Sequence, residues 1–225
     1  MLISHKKRFI YLKTIKTAGT SIEIYFEREC VDPSMYDGPR HLIDETCSEW
    51  GVVGYRGESL TGKQWFNHMP ARAIRDILSR KAWDSYFKFC VVRNPFDKVV
   101  SYWWMTLDEP KRKFLTAVEF GKIRSEFKQW VMSDDNFPIE KDRATYTIDG
   151  RVCVDYVLRY ESLLADLKAV CGMIGVDFEP WRLGRYKSES RTRQERFSDY
   201  YDGESRERVR TMFEFELDRF DYKMI

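Results

Sequence analysis

The sequence predicts an α/β fold, in which a doubly wound, mostly parallel sheet carries helices on both of its faces. Two observations support this prediction. Apolar strands alternate with helical segments along the chain, and polar turns follow directly after two of the strands, predicted at 8–13 and 86–92. Because ligands of such sheets bind beyond the carboxyl ends of the strands, both turns are candidate binding sites on neighbouring strands.

Hydrophobic periodicity and capping residues predict the other elements. Apolar residues at helical spacing predict helices at 19–29, 70–81, 95–107, 111–132, 162–174 and 204–219. A further strand is predicted at 152–160. Residues 31–68, with two prolines and several glycines, are predicted to be irregular. That stretch is too long for a plain connection, so we expect it to have a role in binding.

Composition indicates a single domain spanning residues 1–225, since a chain of 225 residues with 43% hydrophobic content can bury a full core. The net charge of +2 argues against nucleic acid or an anionic membrane as the main partner. No apolar run approaches the length of a membrane span, and the early first strand leaves no room for a signal peptide. The five cysteines form no CxxC pair, which favours a reducing, cytoplasmic location, with a Cys30–Cys47 disulfide left open.

The first polar turn has the residue types of an anion site. It comprises Lys16, Thr17, Ala18, Gly19, Thr20 and Ser21. A helix that begins here presents unpartnered backbone N–H groups and the positive end of its dipole. Gly19 allows a ligand to approach the backbone, the hydroxyls can donate hydrogen bonds, and Lys16 adds an ammonium group. The alternative is an ordinary strand-to-helix turn with a chance lysine.

The second polar turn begins at Arg93, after the apolar run FKFCVV. Asn94 can cap a helix whose first residue is Pro95, and Ser101 then lies about two turns into that helix. Because the guanidinium fork donates paired hydrogen bonds to phosphate oxygens, Arg93 and Ser101 could hold one phosphate group between them. The alternative is a capped helix with a solvated arginine and a neutral serine.

Residues 57–64, GESLTGKQ, nearly match the phosphate-binding loop of nucleoside triphosphatases. Gln64 stands where that loop needs a hydroxyl to bind magnesium, and no long apolar strand leads into the segment. We therefore predict a polar surface loop here.

Together, the motifs KTAGTS and RNPFDKVVSYW resemble those of the sulfotransferases, which use 3′-phosphoadenosine 5′-phosphosulfate (PAPS) as donor. The resemblance implies the P-loop-like, three-layer sulfotransferase fold. It places the 5′-phosphosulfate on Lys16–Ser21 and the 3′-phosphate on Arg93 and Ser101. NHMPARAIRDIL, VLRYESLLADL and YYDGESRERV extend the similarity to the branch that includes carbohydrate sulfotransferases. The resemblance to the family also implies further donor contacts in the region of Lys187, Ser188, Ser190 and Arg191.

Sulfuryl transfer requires stabilisation of the leaving oxygen, positioning of the donor and a base for the acceptor. Lys16 and the amides of the first turn would provide the stabilisation, and the 3′-phosphate contacts the positioning. His68 is the candidate general base, since relatives commonly have a histidine at this place. A helix-capping or acceptor-orienting role of His68 is the alternative, and His41 and Glu23 are the next candidates. The chemistry is expected to need no metal.

The resemblance favours a carbohydrate hydroxyl as acceptor, with residues 31–68 on the acceptor side. A small phenol, alcohol or amine is the alternative acceptor. Two other functions remain open: a nucleotide-dependent kinase of similar fold, and a binding protein without catalytic activity. The oligomeric state cannot be inferred from the sequence.

Overall fold

The computed structural model describes residues 1–36, 38, 43–133, 137–184, 191–193 and 195–223. Contacts divide the chain into two compact units. The sheet unit comprises Met1–Val92 and Glu140–Tyr186, and the helical unit comprises Arg93–Ile139 and Lys187–Ile225. The prediction of one domain over 1–225 stays a prediction.

The sheet unit contains a six-stranded sheet. Its strands are β1 (Leu2–Ser4), β2 (Phe9–Leu12), β3 (Thr46–Cys47), β4 (Gly51–Val53), β5 (Phe87–Val92) and β8 (Tyr156–Arg159), in the order β3-β4-β1-β2-β5-β8. The neighbours β2, β5 and β8 are parallel, whereas β1 is antiparallel to both β2 and β4, and β3 is antiparallel to β4. A separate hairpin is formed by β6 (Thr147–Ile148) and β7 (Arg151–Val152).

The pairing of β2 with β5 confirms the predicted neighbours. Phe9 lies opposite Phe87 and Leu12 opposite Cys90, so both strands point the same way and end at the same edge of the sheet. All of β2 is buried, as is β5 from Lys88 onward, which is typical of a strand covered on both faces. The turn after β2 therefore begins beside the end of β5.

Helices cover both faces of this sheet. They are α1 (Gly19–Phe26), α2 (Ala71–Ile77), α3 (Arg80–Ser85), α8 (Leu163–Ile174) and most of α7 (Ile139–Ala144). On one face, Tyr11 and Phe89 share a core with apolar residues of α1 and α8. On the other face, the ammonium group of Lys88 lies 5.6 Å from the ring centroid of Trp83 in α3. The predicted α/β fold class is confirmed.

The helical unit contains five further helices, α4 (Pro95–Thr106), α5 (Glu109–Ala117), α6 (Phe120–Met132), α9 (Gly203–Met212) and α10 (Glu214–Phe220). Its core is aromatic: the Trp103 and Phe127 rings lie 5.4 Å apart, and the Phe127 and Tyr200 rings 5.6 Å apart. As predicted, the Asn94 side chain caps α4, accepting from the N–H of Phe96 at 3.0 Å.

Three predicted helices are each divided in two. Residues 70–81 contain all of α2 and the start of α3, because the Ser79 side chain caps a new helix by accepting from the N–H of Ala82. The backbone is extended at Val118 and Glu119, which separates α5 from α6. Near the end of the chain, α9 and α10 meet at Phe213.

The prediction that residues 31–68 are irregular is wrong in part, because β3 and β4 lie within them. The near-match at 57–64 does form turns and bends without a helix, and Leu60 within it is exposed, so the predicted surface loop is confirmed. All five cysteines are free, so Cys30 and Cys47 are not paired. In the described part of the chain, no helix has the length and apolar character needed to cross a membrane.

Candidate active site

The loop between β2 and α1 is fixed by hydrogen bonds within the sheet unit. The Thr14 hydroxyl donates to the Val91 carbonyl of β5 at 2.5 Å and lies 2.7 Å from the Thr17 hydroxyl. The N–H of Ile15 donates to the Asp142 carboxylate at 2.6 Å. Thr17 is fully buried, so its side chain shapes the loop from within.

The backbone of this loop is strained at two residues. Lys16 and Ala18 have φ values of 57° and 61°, in the left-handed region that residues other than glycine rarely adopt. Each such residue costs about 1–3 kcal/mol and persists only where its surroundings fix it, as they often do at functional sites. Ala18 is the N-cap of α1, and its side chain makes no capping hydrogen bond. The N–H groups of that turn, together with the half-buried Lys16, suit an anion.

A buried group of charges lies next to the loop and centres on Glu23 of α1. Its carboxylate is 2.5 Å from the Lys13 ammonium, 3.1 Å from Nε of Arg56 and 2.6 Å from the Met1 amino group. Burial by itself raises the pKa of Glu23, but these three cations outweigh burial and hold the pKa well below its usual range. Glu23 is thus an ionised carboxylate with both oxygens paired, which argues against its use as a general base.

Gly19, the first residue of α1, leaves room for the side chain of Lys13. A Cβ atom at this position would come within 2.7 Å of Cγ and Cε of Lys13. The absence of a side chain at Gly19 therefore lets Lys13 pass close to the start of α1 and reach Glu23. Lys13 was not predicted as a site residue, because in the sequence it is only the end of a predicted strand.

His68 contacts the start of the same loop. Its Nδ1 lies 3.0 Å from the carbonyl oxygen of Lys13. Because a carbonyl can only accept, Nδ1 carries the hydrogen, and Nε2 holds the lone pair. Burial, followed by the Lys13 ammonium and the Met1 amino group, lowers the pKa of His68 to about 3. The ring is therefore neutral at pH 7, with an unprotonated nitrogen suited to accept a proton.

The second predicted motif lies in the helical unit and centres on a carboxylate. One oxygen of Asp97 accepts from Nε of Arg93 at 2.8 Å, and the other accepts from Arg191 at 2.8 Å. Ser101, one turn further along α4, is buried. We call Arg93, Asp97 and Arg191 the arginine cluster. Asp97 was not predicted as a site residue, although its place in a first helical turn, four residues after Arg93, was a usable signal.

The structure brings the predicted residues together within each unit. In the sheet unit, His68 contacts Lys13, which leads into the loop Lys16–Ser21. In the helical unit, Arg93 and Arg191 share one carboxylate. The other predicted residues, His41, Lys187, Ser188 and Ser190, lie outside the described residues.

The model of the sulfotransferase family matches residues 1–223 of this chain. The chain belongs to the sulfotransferase family. A relative from Archaeoglobus fulgidus, an uncharacterized protein, is 34% identical over 111 residues, which are 49% of this chain and 86% of the relative. No solved structure matches the chain.

The family match covers nearly the whole chain, so the protein is a transferase and its chemistry is sulfuryl transfer. Within the described ranges, no three or more His, Cys, Asp or Glu side chains are grouped so as to hold a metal ion. A reaction without metal stays a prediction, as does a cytoplasmic location.

Proposed function

We propose that this sulfotransferase moves the sulfuryl group of PAPS to a hydroxyl group of a carbohydrate. The observation that carries the proposal is the loop after β2, where strained backbone at Lys16 and Ala18 leads into a helix whose N-cap residue makes no side-chain capping bond. Such a helix start binds anions through backbone N–H groups and its dipole. In a member of this family, the 5′-phosphosulfate is the anion that fits.

We assign the two ends of the donor to different residues. The 5′-phosphosulfate would contact the loop Lys16–Ser21, and the 3′-phosphate would contact Arg93, Ser101 and Arg191. The guanidinium fork suits a terminal phosphate because it can donate two parallel hydrogen bonds to its oxygens. Binding energy from the 3′-phosphate would help to hold the sulfur atom in line with the acceptor.

In the proposed reaction, the acceptor oxygen bonds to sulfur while the bond from sulfur to the bridging oxygen of the 5′-phosphate breaks. The electron pair stays on that oxygen, where Lys16 and the N–H groups of α1 stabilise it. The acceptor proton passes to Nε2 of His68, whose Nδ1 is held by the Lys13 carbonyl. A pKa of about 3 makes His68 a weak base in the unliganded protein, but the negative charge of the donor would raise that pKa.

The carbohydrate acceptor is supported by the likeness of NHMPARAIRDIL, which includes His68, to the carbohydrate branch. Residues 31–68 would contribute to the acceptor side, since this stretch ends at His68. A small phenol, alcohol or amine is the alternative acceptor. A kinase is disfavoured because the segment at 57–64 lacks the following helix that a nucleoside triphosphate site requires.

The donor is tested by thermal unfolding with nucleotides. The product 3′-phosphoadenosine 5′-phosphate (PAP) should raise the melting temperature without metal, whereas ATP with magnesium should not. The reverse result would indicate a kinase.

The reaction is tested by screening hydroxylated acceptors, sugars first, with radiolabelled donor. His68→Ala should lose most of the transfer, by about 100-fold or more, since general base catalysis contributes that much. His5→Ala is the matched control, because His5 contacts Tyr86 at the other end of β5 and should not affect transfer. Full transfer by His68→Ala would reject His68 as the base, and no transfer by the wild type to any acceptor would favour a binding protein.

A further inference from the structure

Asp97 joins two arginines that are far apart in the sequence. Its Oδ2 lies 2.8 Å from Nε and 2.7 Å from a terminal nitrogen of Arg93, and its Oδ1 lies 2.8 Å from Nη1 of Arg191. The three side chains are largely buried, with exposed fractions of 9% for Arg93, 16% for Asp97 and 21% for Arg191. One carboxylate thus fixes the orientation of both guanidinium groups.

The arginine cluster occupies one side of the first turns of α4. Asp97 lies four residues before Ser101 on α4, so the two are neighbours on the helix surface, and Arg93, which precedes the helix, reaches Asp97 through its ion pair. The carboxylate therefore lies between the two residues to which we assigned the 3′-phosphate. Its place in the first turn of α4 also suits a negative charge, because the helix dipole is positive there.

Arg191 is held from two further directions. Its Nη2 donates to the Glu195 carbonyl at 2.6 Å, and its guanidinium lies 5.5 Å from the ring centroid of Tyr200. Tyr200 is itself fixed, since its hydroxyl accepts from the indole N–H of Trp104 at 3.2 Å. These contacts, together with the ion pair to Asp97, fix the orientation of the Arg191 guanidinium.

We propose that Asp97 is a positioning residue for nucleotide recognition, which holds Arg93 and Arg191 so that both bind the 3′-phosphate of the donor. This inference rests on the proposed function. Two unlinked guanidinium groups would repel each other and turn apart, whereas a shared carboxylate keeps them together before the ligand arrives. The consequence is selectivity: Asp97 makes the enzyme prefer nucleotides that carry a 3′-phosphate.

The test compares the affinities of PAP and of adenosine 5′-monophosphate (AMP), which lacks the 3′-phosphate, by isothermal titration calorimetry. The readout is the dissociation constant of AMP divided by that of PAP, so a higher ratio means a stronger preference for PAP. Asp97→Asn keeps the shape of the side chain, but its amide has one acceptor oxygen, and its NH₂ group cannot accept from a guanidinium. We expect the preference for PAP to fall by about tenfold or more in Asp97→Asn.

Glu109→Gln is the matched control, because it removes the same charge from an exposed side chain of the helical unit, 70% exposed. It should leave the ratio unchanged. A general loss of stability in Asp97→Asn would weaken the binding of both nucleotides alike and would not lower the ratio. If Asp97 acts only as a negative charge that repels phosphate, the preference for PAP rises in Asp97→Asn. An unchanged or higher ratio overturns the inference.

The same measurements separate this inference from the proposed donor. A wild type that binds PAP no better than AMP overturns the donor assignment, and the inference with it. If the wild type prefers PAP and Asp97→Asn shows the same preference, only the inference is wrong. A double-mutant cycle adds a check: in an Arg191→Ala background, Asp97→Asn should lower the ratio by less than it does in the wild type. Should Asp97→Asn not fold, Arg191→Ala alone should lower the ratio, and an unchanged ratio there overturns the inference.

Discussion

The loop after β2 and the arginine cluster carry positive charge by different means. The loop uses backbone: left-handed residues at Lys16 and Ala18 and the start of α1, with fully buried charges around Glu23 beside it. The arginine cluster uses side chains, since two guanidinium groups share one largely buried carboxylate. The first site therefore depends on the backbone that the fold imposes, whereas the second depends on side chains that a substitution can change.

The largest expected difference concerns stability. Glu23→Gln should lower the free energy of unfolding by about 3–5 kcal/mol, because it removes the carboxylate that pairs with the buried Lys13 ammonium and with Arg56, which also pairs with Glu27. Asp97→Asn should cost less, about 1–3 kcal/mol, because it weakens hydrogen bonds between side chains that are largely but not fully buried. Urea unfolding of both variants measures the two effects, with the exposed Glu58→Gln as control. Equal losses for Glu23→Gln and Asp97→Asn would remove the distinction between the two sites.

The next difference concerns catalysis. Lys16→Ala should lower kcat by about 100- to 1000-fold, because it removes a group that stabilises the leaving oxygen in the transition state. Arg93→Ala should instead act mainly on KM for the donor, since it contacts a phosphate that does not react. Steady-state rates with radiolabelled donor measure both variants, and the exposed Lys81→Ala on α3 is the control. If Arg93→Ala lowers kcat and leaves KM unchanged, its assignment to the 3′-phosphate is wrong.

A last difference is a pH dependence of stability that comes from the sheet unit. The folded protein lowers the pKa of His68 to about 3, so between that value and the usual 6.5 the unfolded chain binds more protons. Stability should therefore decrease as the pH falls below about 6.5, and His68→Ala should weaken this dependence. Thermal unfolding between pH 4 and 7 measures it. The same pH dependence in the variant and the wild type would show that His68 is not the group responsible.

The elements that the sequence predicted well have local signals. The apolar run of β5 and the Asn94–Pro95 start of α4 were both found, since burial on two faces and helix capping are visible within a few residues. β1 and β4 were missed because they are short and their partners are distant: Leu2 of β1 pairs with Val53 of β4. Likewise, the predicted helices at 70–81 and 111–132 are divided at residues whose sequence pattern is compatible with one continuous helix. In the structure, a new cap divides the first of them and extended residues divide the second.

The residues of the candidate site also divide into those that local sequence signals indicate and those that they do not. Lys16, Arg93 and His68 could be found because their residue types and motifs indicate anion binding and proton transfer. The pairing of Lys13 with Glu23 could not, because nothing local shows that a lysine at the end of a strand crosses a glycine to reach a buried carboxylate. Asp97 was visible as a neighbour of Arg93, but its second partner, Arg191, comes from a distant part of the chain.

By itself, the sequence determined the fold class, the two polar turns and the family to which the chain belongs, since strand patterns, caps and motifs are written in consecutive residues. The tertiary structure alone decided which charges are buried, which ring nitrogen of His68 carries the hydrogen and which carboxylate pairs with two arginines. The physical reason is that desolvation and ion pairing depend on the distances between atoms of distant residues, and folding sets those distances.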